Sequence, residues 1–262
     1  MKIKNLTIGS DPELFLETPD GEVVSCIGFC SGTKEKPELI SKDGHAIQID
    51  GIALEYNLPP SKTKEELINN INFIKDYTIN TIAKPKGLVI SKKVSEEILD
   101  KHLPPEARIL GCSASFCAWT ESVNGSPDGK SNWRSVGGHV HLGYNNPTME
   151  TSIEIIKAFD LFLTVPSILI DTDTNRRKLY GRAGEFRFTS FGCEARCLSN
   201  FWIHNNELIG WVYDQLQLMV NFINLNNTID KKTSEKIVEC INTQNKELAQ
   251  QLINQYNLIC VE

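Results

Sequence analysis

Five apolar, strand-like segments of this chain each carry two polar side chains at positions i and i+2, or nearly so. Such a pair points to the same face of a sheet, because side chains alternate along a β-strand. Charged side chains inside apolar strands are unusual, since burial is costly unless they are paired or bind a ligand. If the five segments are neighbours, one sheet face collects the following residues: Asp11, Glu13, Asp50, Glu55, Asn57, His139, His141, Glu185, Arg187, Glu194 and Arg196.

The strand-like segments come mainly as hairpins. "LTIGSDPELFLET" alternates and leads into the turn "PDGE", and "HAIQIDGIALEYNLPP" has the same character. Apolar spacing predicts helices over residues 63–83, 148–170, about 200–225 and about 234–258, and a short helix over 95–102. Hairpins without βαβ units predict an α+β fold, with an antiparallel sheet and helices on one face. We expect a single domain over residues 1–262, with a helical C-terminal part from about residue 200.

Composition excludes several classes of protein. The net charge of −6 provides no basic field for nucleic acid or an anionic membrane. The sequence has neither an apolar run long enough to span a bilayer nor the pattern of a signal peptide. The eight cysteines lack CxxC spacing, so reduced thiols and a cytoplasmic location are expected. In particular, we expect four thiols to stay reduced and to bind no zinc: Cys112, Cys117, Cys193 and Cys197.

The residue types on the predicted polar face indicate phosphate chemistry. Carboxylates with a few imidazoles suit Mg²⁺ or Mn²⁺, and interleaved arginines can grip phosphate with two parallel hydrogen bonds. Metal, phosphate and arginine together are typical of phosphoryl transfer. The sequence contains no Walker A motif and no GxGxxG loop. Taken singly, an ExR pair is often a surface salt bridge, and an HxH pair is often structural.

Five motifs in this order resemble a known family. They are "IGSDPELFL", "DGIALEYNLPP", "ILGCSASFCAWT", "GGHVHLGY" and "YGRAGEFRF…GCEARCLSNFW", and they span roughly residues 8 to 205. The set is similar to the carboxylate–amine ligases related to glutamine synthetase and glutamate–cysteine ligase. Within these, it most resembles the small phage-encoded COOH–NH2 ligase group.

The resemblance implies a curved antiparallel sheet whose concave face binds ATP and two or three divalent ions, Mg²⁺ or Mn²⁺. ATP would phosphorylate a substrate carboxylate, and an amine would attack the acyl phosphate to form an amide. By motif position, the implied metal ligands are Asp11, Glu13, Glu55, His139 and Glu194. Asp11 stands where Glu is commoner in the family. The implied nucleotide contacts are His141, Arg182, Arg187 and Arg196, and both Arg187 and Arg196 would also stabilise the transferring phosphoryl group.

Several alternatives stay open at this point. Glu185 and Glu194 both begin an ExR pair, so either could be the metal ligand, and the base that deprotonates the amine could be Glu185 or Asp50. The substrates are expected to be a small carboxylate and an amine, such as an amino acid or peptide. Abundant Asn, Ile and Lys fit a bacterial or phage-infected cell. Competing functions are a guanidino-kinase-like phosphotransferase, a zinc-dependent hydrolase using His139 and His141, and a non-catalytic binding module.

Overall fold

The structure, a computed structural model, describes residues 2–108, 115–125 and 131–259 of the 262-residue chain. Its strands are short and follow one another mostly without intervening helices. In chain order they are β1 Thr7–Ser10, β2 Glu13–Leu14, β3 Leu16–Glu17, β4 Val23–Val24, β5 Glu38–Leu39, β6 Ala46–Asp50, β7 Ala53–Asn57, β8 Val89–Ile90, β9 Ser95–Glu97, β10 Phe116–Cys117, β11 Ser122–Val123, β12 Trp133–Ser135, β13 Val140–Gly143, β14 Glu185–Thr189 and β15 Gly192–Ala195.

The helices lie mainly in the second half of the chain. The α-helices are α1 Lys64–Tyr77, α2 Met149–Phe159, α3 Val165–Ile170, α4 Arg176–Leu179, α5 Asn206–Asn224, α6 Lys231–Thr243 and α7 Lys246–Tyr256. Short 3₁₀ helices cover Lys84–Lys86, Asp100–His102, Pro105–Arg108 and Asn200–His204, and π-helical turns cover Thr78–Ala83 and Asp160–Thr164. Among the residues that the structure describes, no helix combines the length and the hydropathy needed to cross a bilayer.

The strands form antiparallel sheets. The largest has six strands in the order β1-β13-β15-β14-β10-β11, and a second has four in the order β2-β7-β6-β5. Smaller sheets pair β4-β3-β8 and β12-β9, and every pairing between these strands is antiparallel. With separate helices after the hairpins, the architecture is α+β, as the sequence predicts.

The six-stranded sheet has two unlike faces, because directly opposed residues form rows across it. One row is polar and consists of Gly9, His141, Glu194 and Arg187. The adjacent row points to the other side and consists of Ile8, Leu142, Cys193 and Phe188. Apolar side chains of α2 join Leu142 and Cys193 in one buried cluster, so α2 covers the apolar face. The polar face is not covered by α2, and it carries the candidate site described below.

Two predicted helices differ from the structure. Residues 95–102 were expected to be helical, but Ser95–Glu97 pairs with Trp133–Ser135 as a strand and only a 3₁₀ turn follows. The single helix expected over about 234–258 is two helices, α6 and α7. Gln244 ends α6 in the left-handed conformation, and the Asn245 side chain caps α7.

Three other boundaries are refined. Thr63 and Glu66 form a capping box at the start of α1. The α-helix ends at Tyr77, and a π-helical turn continues to Ala83. The helix predicted over residues 148–170 is α2, the π-helical turn Asp160–Thr164 and α3, and Pro166 lies in the first turn of α3, where a missing N–H is tolerated. Helix α4 was not among the predicted helices.

Candidate active site

The turn after β1 carries Asp11 to the histidines of β13. The Ser10 hydroxyl donates a 2.6 Å hydrogen bond to the His139 carbonyl oxygen. The Glu13 backbone N–H donates to the Gly137 carbonyl oxygen at 2.9 Å. These two bonds hold the Asp11 segment against the start of β13, with Asp11 between them.

Four side chains converge there, and we call them the histidine–acid cluster: Asp11, His139, His141 and Glu194. Asp11 Oδ1 lies 3.2 Å from His139 Nδ1 and also 3.2 Å from His141 Nε2. The Glu194 carboxylate lies 3.7 Å from His139 Nδ1 and 4.0 Å from His141 Nε2. Asp11, His139 and Glu194 are buried, and His141 is partly exposed. Two imidazoles and two carboxylates therefore share one confined space.

Register and a glycine explain why both imidazoles fit. His141 lies directly opposite Glu194, and His139 points to the same face because it is two residues earlier. Gly137 precedes them, and a Cβ atom at this position would lie 2.4 Å from the Nε2 of His139. The glycine of the "GGHVH" motif therefore leaves the space that the His139 ring occupies.

Electrostatics within the cluster separate the two histidines. Burial lowers the pKa of His139 more than the nearby Asp11 carboxylate raises it. Burial also opposes protonation of His141, but the carboxylates of Asp11 and Glu194 outweigh it and raise the pKa of this imidazole. Burial would raise the pKa of Asp11, yet both imidazoles together hold it well below its usual value. Asp11 is thus a carboxylate, and His139 is held neutral.

The cluster contains buried atoms that make no hydrogen bond within the described residues. They are Asp11 Oδ1, His139 Nδ1, His139 Nε2 and His141 Nε2. Buried polar atoms are normally satisfied, so such a group indicates a missing partner. Asp11, His141 and Glu194 each offer one ligand atom, and these atoms all lie within 4.8 Å of one another. Carboxylate oxygens with imidazole nitrogen fit a divalent cation such as Mg²⁺ or Mn²⁺.

Two arginines border the cluster on the side of Glu194. Arg196 Nη1 donates to Glu194 Oε1 at 2.6 Å and is buried with it, whereas Arg187 Nη1 lies 3.4 Å from Glu194 Oε2. Burial would lower the pKa of Arg196, but Glu194 raises it above the usual value, so the guanidinium stays charged. Arg187 lies directly opposite Glu194 and is partly exposed. It is therefore the arginine that a ligand can reach from solvent.

A second set of acids, which we call the acidic group, lies beside the cluster and consists of Glu13, Asp50 and Glu55. Glu13 and Glu55 are directly opposed on β2 and β7. Burial, with Asp50 and Glu55, raises the pKa of Glu13 well above its usual value. Burial, with Asp11 and Asp50, raises the pKa of Glu55 to about 8. Neighbouring carboxylates thus oppose ionisation of Glu13 and Glu55, and a cation placed among these acids would relieve the repulsion.

A comparison with known protein families finds a match to the part of the chain that contains His139 and His141. The family model of the phage phiEco32-like COOH.NH2 ligase-type 2 matches residues 123–255, which is about half of the chain. The chain belongs to this family. No curated protein matches the chain. The suspected resemblance to the phage COOH–NH2 ligase group is therefore confirmed.

The matched segment contains three residues of the histidine–acid cluster: His139, His141 and Glu194. Asp11 and the acidic group lie outside the match, in the N-terminal strands. The fold brings these acids to the matched histidines. The candidate site is therefore assembled from two parts of the sequence.

Two residues predicted for the ligase site are placed differently from the others. Glu185 accepts hydrogen bonds from the backbone N–H groups of Gly181 at 2.5 Å and Arg182 at 3.1 Å. It secures the turn before β14, while Glu194 lies in the cluster, so the geometry separates the two ExR acids. Arg182 is exposed, and the structure gives its guanidinium no ion pair among the described residues.

Tyr180 lies beside the histidine–acid cluster, and the sequence patterns did not single it out. Its ring lies 5.0 Å from the Arg196 guanidinium carbon, 5.5 Å from that of Arg176 and 6.0 Å from the His139 ring. Its hydroxyl accepts a hydrogen bond from Arg196 Nε. Tyr180 begins the quoted motif "YGRAGE", but a lone tyrosine beside a turn gives no signal of this role.

Six cysteines of the ligase lie in the described residues, and all are free thiols: Cys26, Cys30, Cys117, Cys193, Cys197 and Cys240. Burial raises the pKa of Cys193 and Cys197, so both are poor nucleophiles and poor metal ligands. Cys112 lies outside the described residues, so the expectation for it stays a prediction.

Proposed function

We propose that this protein is an ATP-dependent carboxylate–amine ligase that requires Mg²⁺ or Mn²⁺. It joins a small carboxylate to an amine through an acyl phosphate and forms an amide or peptide-like bond. Family membership supports the joining of carboxyl and amine groups. The observation that carries the finer proposal is the histidine–acid cluster bordered by Arg187 and Arg196 on one sheet face.

The metal would be held by Asp11, His141 and Glu194, with His139 beside them. The acidic group, through Glu13 and Glu55, is the candidate holder of a further ion. The bound ion would draw charge from the phosphoryl oxygens as they approach the acceptor carboxylate. This assignment differs from the motif-based expectation in one respect. His141, which was expected to contact the nucleotide, belongs to the compact group, and His139, which was expected to be a ligand, lies beside it.

The arginines would bind the polyphosphate. Arg187 has donors that a ligand can reach, and Arg196 is held in place by Glu194 and Tyr180, so its guanidinium is preorganised. Transfer of the γ-phosphoryl group to a carboxylate oxygen releases ADP. The amine nitrogen then attacks the acyl carbon, the C–O bond to phosphate breaks, and phosphate leaves. No nucleophile of the protein is consumed in these two steps.

The amine must lose a proton during the second step, and Asp50 is the better candidate base. Both Glu185 and Asp50 were candidates from the sequence, but Oε2 of Glu185 accepts two backbone N–H groups and its Oε1 accepts from the Ser115 hydroxyl. Asp50 ends β6, is partly exposed and belongs to the acidic group, which would also attract a protonated amine.

The proposal includes a curved, glutamine synthetase-like sheet and a cytoplasmic location. The antiparallel order and the polar face support the first of these. The free thiols among the described residues support the second. The family match gives no support to the alternative function of a guanidino-kinase-like phosphotransferase. The family match does not support the zinc-hydrolase alternative either.

Incubation of the protein with ATP, Mg²⁺ and a mixture of carboxylates and amines tests the proposal. We expect release of ADP and phosphate together with a new amide, detected by untargeted mass spectrometry of the same reaction. Glu194→Gln should abolish both signals, and Glu97→Gln, an exposed acid of β9, should leave them unchanged. Amide formation without ADP, or equal activity of the two variants, would contradict the proposal.

A further inference from the structure

An exposed phenylalanine occupies the tight turn between β14 and β15. Thr189 pairs with Gly192, so the turn consists only of Ser190 and Phe191. Two-residue turns favour glycine, asparagine, aspartate and serine, whereas a large aromatic side chain gains nothing there unless it is buried. Phe191 is 47% exposed. Neither turn formation nor core packing therefore explains this residue.

The Phe191 ring lies at the edge of the histidine–acid cluster. Its centroid is 5.9 Å from that of the His141 ring. The backbone of Phe191 is held in place, because its carbonyl oxygen accepts a 3.0 Å hydrogen bond from the Tyr144 backbone N–H. The ring is thus attached to a two-residue turn that is anchored directly after the strand carrying His141.

Exposure shows where the cluster opens. The Glu194 and His139 side chains are each 4% exposed, whereas His141 is 23% and Arg187 is 35% exposed. The site is buried at Glu194 and His139 and is accessible to solvent at His141 and Arg187. Phe191 lies at this accessible side. The Thr189 hydroxyl, on the same strand face as Arg187, is buried and has no hydrogen-bond partner among the described residues.

The charge of the residues at this opening indicates which end of a ligand binds there. The Arg187 guanidinium is partly exposed and faces the opening, so this side suits an anion. The other end of the polar face carries the acids of the acidic group, with Glu13 directly opposite Glu55, and is the less favourable end for phosphate. A polyphosphate held by Arg187 therefore leaves whatever is attached to it beside Phe191.

We propose that Phe191 is the platform on which the base of the nucleotide stacks. The inference rests on the proposed function, since it takes the ligand to be a nucleoside triphosphate. A planar heteroaromatic ring stacks on an aromatic face with little dependence on its hydrogen-bonding edge. Recognition through Phe191 therefore favours a nucleotide over bare polyphosphate, but it discriminates weakly among bases.

Isothermal titration with two probes separates base recognition from phosphate binding. The probes are Mg-ATP and Mg-tripolyphosphate, and the variants are Phe191→Ala and the control Phe188→Ala. Phe188 is exposed to a similar degree on the same hairpin but lies in the apolar row on the other face. We expect Phe191→Ala to weaken Mg-ATP by about tenfold to a hundredfold, the scale of one lost stack. Tripolyphosphate binding should not change, and Phe188→Ala should change neither.

The outcomes distinguish this inference from the proposed function. If the wild-type protein binds ATP and tripolyphosphate equally, or if Phe191→Ala leaves ATP binding unchanged, the base does not stack on Phe191 and only the inference is wrong. An equal loss of both probes would mean that Phe191 supports the phosphate site, which also overturns it. If the wild-type protein binds neither probe, the proposed function fails and the inference fails with it. Phe191→Trp, which keeps an aromatic face, should retain ATP binding.

Discussion

His141 and Glu194 are directly opposed on neighbouring antiparallel strands, and both side chains point to the polar face of the six-stranded sheet. The same register places Arg187 on the far side of Glu194. One carboxylate therefore lies between imidazoles and guanidinium groups. Its negative charge orders the arginines and also completes the compact set of candidate metal ligands.

Removal of one candidate ligand should weaken metal binding. Asp11→Asn keeps the size of the side chain but removes the charge that faces both imidazoles. We expect the affinity for Mn²⁺ to fall by at least about tenfold, as measured by electron paramagnetic resonance of free Mn²⁺. Asp20→Asn, in the turn between β3 and β4, is the matched control and should bind Mn²⁺ like the wild type. Equal affinities in both variants would remove Asp11 from the metal site.

Loss of space beside His139 should have a similar effect without removing any ligand. An alanine Cβ at position 137 would lie 2.4 Å from His139 Nε2, so Gly137→Ala must displace the imidazole. We expect weaker Mn²⁺ binding and a lower melting temperature. Gly125→Ala is the control, because a Cβ at that position meets no atom within 4 Å. Unchanged Mn²⁺ binding in Gly137→Ala would show that the position of His139 does not matter to the ion.

Arg187→Lys keeps the positive charge but loses the planar fork of donors. Because the Arg187 side chain is 35% exposed, the melting temperature should hardly change. ADP release should fall by roughly a hundredfold, the scale of losing one preorganised group in phosphoryl transfer. Arg108→Lys, in an exposed ion pair with Asp100, should change neither quantity.

Arg196→Lys should behave differently from Arg187→Lys. Arg196 is buried, donates to Glu194 at 2.6 Å and bonds Tyr180, so lysine would leave part of this buried network unpaired. We expect loss of turnover together with a lower melting temperature. If both lysine variants retain full turnover with normal melting temperatures, the arginines have no part in the reaction.

The metal-free protein should lose stability as the pH rises from about 4.5 to about 8. The Glu55 pKa is raised from 4.5 to about 8 in the folded protein, so above pH 4.5 the unfolded chain releases a proton that the folded chain still holds. Deprotonation therefore favours unfolding in this window. Melting temperatures in EDTA should fall across it, and Glu55→Gln should flatten the slope. Added Mg²⁺ should restore stability at pH 8, and an identical slope in the variant would contradict the assignment.

The sequence predicted well which residues lie close together. It predicted less well which role each of them has. Side-chain alternation in strands is a strong constraint, so the shared face of His139, His141 and Glu194 followed from i, i+2 spacing and hairpin order. The choice between Glu185 and Glu194 did not follow. It depends on the backbone N–H groups of the turn at Gly181, which no spacing rule reports.

Secondary structure was missed where tertiary contacts override local pattern. Ser95–Glu97 has few apolar residues, and only pairing with Trp133–Ser135 makes it a strand. The break after Thr243 arises from a left-handed Gln244 within a polar run that reads as continuous helix. Tyr180 was missed for a related reason, because its importance comes from the arginines that the fold places around it.

The link between Ser10 and His139 joins positions 129 residues apart, so the order in which the chain is made matters to the site. Asp11 is synthesised in the company of the acidic residues near it, and its imidazole partners follow much later in the chain. The carboxylates cannot hold an ion in the proposed geometry until the later strands have docked. Divalent metal would therefore bind the nascent N-terminal strands weakly. Its main effect would be to stabilise the protein after folding is complete.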